Sequence, residues 1–512
     1  MQIQLHRITL RITSGLQSNI KRLRGPIAEK WLVLIAVTLG MFLSLVDATI
    51  VNVAIPQLQL IFGADVNSVQ WVVTIYMLTQ AIVIPTAPYF AKKFGAGRTY
   101  VWTLTAFLAG SALCGFAQSL LALVIFRFVQ GIGGGILLPL VMTLLYQAFP
   151  PQERPIAVSV MGVPLMIAPL LGPVVGGYLV GALGWRWAFF INLPLGALGV
   201  VVAANVLWKS SPEARTRFDV AGFLTVAGGS AMLLCAVASA RNSDVLLRNV
   251  AFLIAGTGLL LAFVLIESVK VRKGNEPLLD LRRFGDKKFL YSTLAQTLFG
   301  FVWFGLLFLI PIYLQRVRLR TASESGLILG VQALTTLAVV PIGGKLAHRV
   351  GPRLVCILGL TIFAGGVALL RTLDLTTPIP IIVTIMIVLG TGIGLRQQIP
   401  VAAMSQIETN EHREIANAST LLIVLHSTAA PMGVATLSSI LQLRSQYFSA
   451  ALAAQGIEGD LLNRQNSIST MHEAFLVALI VALSAFGAMC LVPKDARRTK
   501  ANPAQSAAIF KQ

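Results

Sequence analysis

The sequence predicts an all-α polytopic membrane protein, and three observations carry that reading. Of 512 residues, 56% are hydrophobic and only 12% charged, with a mean hydropathy of +0.79. Soluble domains run near 45–50% apolar and about 25% charged, so an ordinary soluble protein is excluded. Apolar runs of about 20 residues, the length that crosses a hydrocarbon core, recur along the whole chain. A stretch near residue 90 also recurs near residue 345.

Taken in order, the runs predict fourteen spans. Residues 1–30 form a basic tail. Six spans follow, at 31–56, 69–91, 99–118, 121–147, 157–181 and 187–208. The first ends in Asp47 and Asn52 instead of a small-residue cleavage site, so it reads as a retained span and not a leader. Spans 7 and 8 fall at 219–240 and 249–269, and a basic linker (KVRKGNEPLLDLRRFGDKK) occupies 270–288. The last six are expected at 289–314, 325–347, 353–371, 378–404, 415–441 and 473–492, with a loop at 442–472 and a tail at 493–512.

The formal charge of +20 arises from 40 Lys and Arg against 20 Asp and Glu. With both termini placed in the cytoplasm, most of the basic residues fall in inner tails, loops and helix ends, as the positive-inside rule requires. The basic excess is therefore a signal of topology and of contact with anionic lipid, and not a nucleic-acid surface.

The repeat sets the plan. Residues 84–95 (IPTAPYFAKKFG) align with residues 340–351 (VPIGGKLAHRVG), matching Pro85 to Pro341, Ala91 to Ala347, Lys93 to Arg349 and Gly95 to Gly351. Span 2 thus corresponds to span 10. Two parallel six-helix halves would place the copies six helices apart, so spans 7 and 8 (219–269) are an insertion between six-helix bundles at 31–208 and 289–492.

Polar residues inside spans are expensive and read as functional. Asp47 lies in FLSLVDATIVNVAIPQ (42–57), about 14 Å below the outer end of span 1. In span 4, RFVQGIGGGILLP (127–139) sets Arg127, Gln130, Gly131 and Gly134 on one stripe. Arg127 falls about 10 Å below the same surface, within reach of Asp47. Ser44 shares the face of Asp47. A nearby Arg favours a charged carboxylate and desolvation a neutral one, so a group held between them can exchange protons as water access changes; a pair that merely orders the bundle is the bland reading. In span 5, GVPLMIAPLLGPVVGGYL (162–179) carries Gly172 and Gly176 on a small-residue face, with Pro164, Pro169 and Pro173 able to interrupt backbone bonding. Arg396, Gln397 and Gln398 lie about 12 Å inside span 12, and His426 is near the middle of span 13. Such groups face a cavity or are hydrogen-bonded in packing. With no acid at the depth of Arg396 in spans 9–14, its charge is expected to be met by water, carbonyls or an anionic part of a substrate.

Absent motifs exclude other classes. There is no G-x-x-x-x-G-K-[ST], H-E-x-x-H or G-x-S-x-G, and His6, His348, His412, His426 and His472 do not cluster. Cys114, Cys235, Cys356 and Cys490 stand singly in apolar runs. No enzyme, metal site or bound cofactor is expected.

With these residues in view, residues 30–495 resemble the major facilitator superfamily, and more narrowly its fourteen-helix drug:proton antiporters of the EmrB/QacA type. The resemblance rests on DATIVNVAIP (47–56), RFVQGIGGG (127–135), GPVVGG (172–177) and GWRWAFFINLPLG (184–196). It implies proton coupling by Asp47 and Arg127; Ser44, Asn52, Gln130, Arg396, Gln397 and His426, as polar groups of the spans, are expected to line a substrate cavity. Pro169, Gly172, Pro173, Gly176 and Gly177 would match the pattern associated with antiport. The superfamily loop motif corresponds to PYFAKKFGAGR, with Lys92, Lys93, Gly95 and Arg98. This chain departs from the pattern with Lys92 where Asp is commoner, His426 where relatives often have Arg, and RQQ at 396–398. The expected function is export of amphipathic small molecules in exchange for protons, across an inner or plasma membrane, with the bilayer as the other partner. A metabolite importer or facilitator, and a non-transporting scaffold or sensor, stay open as alternatives. So does the docking of a periplasmic adaptor and outer-membrane channel.

Overall fold

The structure, a computed structural model, describes residues 26–150, 153–208, 218–238, 246–273, 279, 281–404, 412–455 and 459–493. The long helices are α1 (Pro26–Phe62), α2 (Val66–Val83), α3 (Ala96–Gly115), α4 (Leu120–Ala148), α5 (Arg154–Leu183), α6 (Asn192–Leu207), α7 (Val220–Ala238), α8 (Leu246–Arg272), α9 (Lys287–Ile312), α10 (Ala322–Val350), α11 (Pro352–Leu370), α12 (Ile379–Arg396), α13 (His412–Ala454) and α14 (Gly459–Leu491). The described residues contain no strand. Lipid offers no partner for a free N–H or C=O, so a continuous helix is the simplest solution for each crossing. Among the described residues, twelve helices are long and apolar enough to span by length and composition. α3 and α5 are the remaining long helices of the described chain. At 20 residues, α3 is about 30 Å long and suffices to cross.

The helix ends are punctuated by side chains that satisfy orphan N–H groups. Asp65 accepts from Ser68 N at 2.8 Å, Asp286 from Lys288 N at 2.9 Å, and Ser119 from Ala122 N at 3.2 Å. Thr321 and Glu324 form a reciprocal capping box on α10. The repeat reappears in backbone geometry. Gly95 between the second and third crossings has φ 88 and ψ 136; Gly351 between the tenth and eleventh has φ 95 and ψ 147. Only glycine occupies that region without strain, which is why both copies of the loop keep it.

Three expectations need correction. The run at 378–404 is not one helix: α12 stops at Arg396, and a short helix Ile399–Met404 follows a turn at Gln397 and Gln398. Pro400 has no N–H to give to Arg396 O, and its ring crowds that carbonyl, so the hydrogen-bond ladder of α12 cannot continue through it. Arg396 therefore sits in the last turn of a helix and not 12 Å within one. The run at 187–208 is likewise split, with a helical turn at Trp187–Phe190 before α6 starts at Asn192. Residues 442–472 are not a loop: α13 continues to Ala454 and α14 already begins at Gly459. Hydropathy marks the part of a helix that lipid accepts, while the backbone stays helical into water until a breaker such as Gly459 (φ 67) appears. The two extensions are tied by Asn466 Nδ2 donating to Ser445 Oγ at 2.9 Å and by the Arg444–Glu473 pair.

Taking the end at which α1 begins as the near end, successive helices alternate in direction. In the first half α1 packs on α4, α5 and α6, and α3 on α4 and α6; in the second, α9 packs on α13 and α14, and α12 on α10 and α11. The halves meet through α5 on α10, α2 on α13 and α1 on α9. Their polar contacts lie towards the far end: Gln315 Nε2 donates to Val53 O (3.1 Å), Gln442 Nε2 to Asp65 Oδ2 (3.0 Å) and Ser323 Oγ to Gly177 O (3.0 Å). There α5 and α10 touch backbone to backbone, since a Cβ on Gly326 would fall 2.2 Å from Pro173 O. The far end is thus shut.

Helices α7 and α8 pack on each other, and α7 leans on α2 and α13. Only 17% of the apolar window of α8 is buried, so its remaining surface is left to lipid. Lys270 pairs with Asp219 and Glu267, and Glu267 accepts from Leu279 N at 3.2 Å, fastening this helix pair to the linker.

Candidate functional site

Asp47 and Arg127, both with side chains 0% exposed, form an ion pair at 2.5 Å between Oδ2 and Nη1. Burying two charges is costly unless the remaining lone pairs and protons are used, and here most are. Asp47 Oδ1 accepts from Gln130 Nε2 (2.9 Å) and Asn192 Nδ2 (2.8 Å). Arg127 donates from Nε to Val72 O (2.9 Å) and from Nη1 to Gln130 Oε1 (2.9 Å), and its guanidinium lies 3.9 Å from the centre of the Tyr76 ring. Asn192 Nδ2 also reaches Ser111 Oγ at 3.0 Å. Four helices thus converge on one carboxylate: α1, α4, α6 and, through Ser111, α3. Arg127 Nη2 and Asn192 Oδ1 remain without partners.

The glycines of α4 make this approach possible. A Cβ on Gly131 would lie 2.8 Å from Thr79 Cβ and 2.9 Å from Tyr76 O, and one on Gly134 would meet Gln80, Tyr76 and Ser44. Gly131→Leu should therefore force α2 from α4, costing at least about 1–3 kcal/mol and lowering the unfolding midpoint of the purified protein well below that of Gly131→Ala. An unchanged midpoint in both would show that the crossing is not tight.

Ser44 lies beside the pair and not in it. It exchanges hydrogen bonds with Tyr76 OH (3.1 Å) and Gln80 Nε2 (3.1 Å). Asn52 is buried and donates to Ala48 O (3.2 Å), with Oδ1 left unpartnered. In α5, Gly172 and Gly176 face Thr49 and Ile50 of α1, while Gly177 and Pro173 face α10. Pro169 is in the same helix, its side chain outside the described residues.

The second half buries a different charge. Arg396 is 5% exposed. It donates from Nη1 to Gln296 Oε1 at 2.8 Å and stacks 3.7 Å from the centre of the Phe299 ring. Among the described residues no carboxylate pairs with it, and its Nε has no partner. Its charge is met by a side-chain carbonyl, one of the partners expected from sequence, and by a π face, which the sequence does not announce. His426 Nδ1 lies 3.3 Å from Gln296 O, and its ring occupies the space left by the missing side chain of Gly300. Gln397 is exposed at the C-cap of α12. Each half thus stacks one buried Arg on an aromatic ring beside a glutamine, and only the first supplies an acid.

Residues 37–433 match the Major Facilitator Superfamily. The chain belongs to that superfamily. It is 33% identical over 401 residues to the Multidrug resistance protein B homolog of Mycobacterium tuberculosis, covering 77% of this chain and 73% of that protein. It is 31% identical over 426 residues to the Multidrug transporter protein MdtP of Bacillus subtilis, covering 82% and 77%. A bacterial homolog of the human lysosomal transporter Spinster has the same fold, with a TM-score of 0.59 at 15% identity and coverage of 91% and 98%. This major facilitator protein is a multi-pass membrane transporter of small molecules.

Within the superfamily loop motif, Lys93 Nζ donates to Tyr89 OH at 3.0 Å and Arg98 Nε to Trp208 O at 3.2 Å, which tethers the loop to the end of α6. Lys92 is half-buried, and Gly95 provides the turn. The residues that sequence reasoning missed are Asn192, Ser111, Tyr76 and Gln296. Asn192 had a signal, as the single amide within GWRWAFFINLPLG. The others had none, because polar residues at one to a helix are common in transporters.

Proposed function

We propose that this transporter exports amphipathic small molecules in exchange for protons by alternating access, with both termini in the cytoplasm of a cell whose inner or plasma membrane it spans. The observation that carries the reading is Asp47, a carboxylate held by Arg127, Gln130 and Asn192 in a sealed pocket of the first half while the far end is shut. All three donors suit a charged carboxylate. A proton arriving at Oδ2 would break the charge-assisted bond to Arg127, so protonation and the packing of α1 against α4 cannot change independently. The multidrug relatives support an amphipathic substrate. One proton moving inward supplies about 2.3 kcal/mol per 100 mV, enough at ~100 mV for a roughly fifty-fold gradient of a neutral compound.

The test is transport by the purified protein in liposomes with an acidic lumen. Protons leaving should drive accumulation of ethidium above its external concentration, and collapse of the proton gradient should release it. Movement only to equal concentrations would make the protein a facilitator and overturn exchange.

A further inference from the structure

At the far end, a cavity of about 350 Å³ lies on the seam between the halves. One wall is Asp65 and Val66, the turn between α1 and α2; the others come from the end of α9 and the extended parts of α13 and α14. That volume is at the lower end of ligand pockets and suits a molecule of metabolite size. Its polar lining is directional. Gln442 spends its amide N–H on Asp65, and Asn466 spends its own on Ser445. Both are left with a buried carbonyl oxygen, Gln442 Oε1 and Asn466 Oδ1, that has no donor. A buried acceptor without a donor is an unmet hydrogen bond, and two of them in a lining that also holds the Asp65 carboxylate suit an ammonium group. Arg316, exposed and in no ion pair among the described residues, also lines the cavity and is suited to a carboxylate.

We propose that this cavity binds a small zwitterion, its ammonium towards Asp65, Gln442 and Asn466 and its carboxylate on Arg316, and that the bound molecule holds the far end closed. The cavity exists only while the first and second halves meet there, because Asp65 belongs to one and Arg316 to the other. A ligand that needs both walls binds the closed far end better than the open one and shifts the population towards it. Binding stands on the cavity alone, whereas the clamp rests on the alternating-access reading given above.

The experiment uses the full chain in detergent with 5-aminovalerate, whose two charges are separated by a short spacer. The controls are pentanoate, lacking the ammonium, and 5-aminovaleramide, lacking the carboxylate. 5-Aminovalerate should raise the unfolding midpoint saturably, since a ligand of the folded state stabilises it. Each control should need at least ten times the concentration. Arg316→Gln should weaken the effect tenfold or more, and Asn466→Leu, which fills the cavity and removes an acceptor, should abolish it. In liposomes, 5-aminovalerate on the far side should slow wild-type transport and leave Asn466→Leu unaffected. No saturable shift in the wild type, equal shifts from all three compounds, or a shift untouched by both substitutions would overturn the site. Binding without slowing of an active transporter would overturn the clamp. Failure of ethidium transport altogether would sink the exchange reading and leave the binding result standing.

Discussion

Asp47→Asn should abolish uphill transport. The substitution keeps the volume and removes the titrating group, while Arg127 stays buried with its charge. Stripping one partner from a buried pair costs about 3–5 kcal/mol, so the variant should also unfold at a clearly lower temperature. The double change Asp47→Asn with Arg127→Gln separates the two effects. It removes the orphaned cation, leaves Gln130, Asn192 and Ser111 to rebuild a neutral network, and should recover much of the lost stability. It should not recover accumulation of substrate against a gradient. Uphill transport at the wild-type rate in either variant would remove Asp47 from the coupling step.

Arg396→Gln should change what is carried more than how fast. Because Arg396 has an amide oxygen and the Phe299 ring but no carboxylate, an anionic part of a substrate would be its first full counter-charge. Export of acidic or zwitterionic compounds should fall tenfold or more, with neutral and cationic compounds spared. Arg396→Lys should restore only part, since an ammonium can neither bond bidentately nor stack in the same way. Arg396→Gln should also raise the unfolding temperature without substrate, because it deletes a buried charge whose desolvation is poorly compensated. That pairing of a gain in stability with a loss of function is the mark of a residue kept for its chemistry. A uniform loss across all compounds, with lowered stability, would instead make Arg396 a packing residue between α9 and α12.

Much of the molecule is legible in its sequence, for a reason that differs from feature to feature. Lipid rejects unpaired backbone and charge, so each crossing had to be helical and apolar, and composition alone announced the spans. The steric demand on one residue exposed the repeat, because Gly95 and Gly351 occupy a backbone conformation closed to side chains. The meeting of Asp47 with Arg127 was legible because both could be measured from the same membrane surface, at 1.5 Å per residue.

What depth could not supply is rotation about each helix axis and the pairing of helices distant in sequence; only packing decides those. Asn192 reaches Asp47 because α6 starts one residue after a broken turn, and Gln296 and Phe299 reach Arg396 because α9 lies against the end of α12. The extension of α13 and α14 beyond the bilayer was hidden for a related reason. Hydropathy reports transfer into lipid, whereas helix continuity depends on breakers and on partners such as Ser445 and Asn466. The sequence by itself determined an α-helical bundle of two repeated halves with an acid and an arginine at one depth. Only the tertiary structure decided which side chains close around them, and that the far end carries a cavity between the halves, because both depend on contacts between segments that no local pattern encodes.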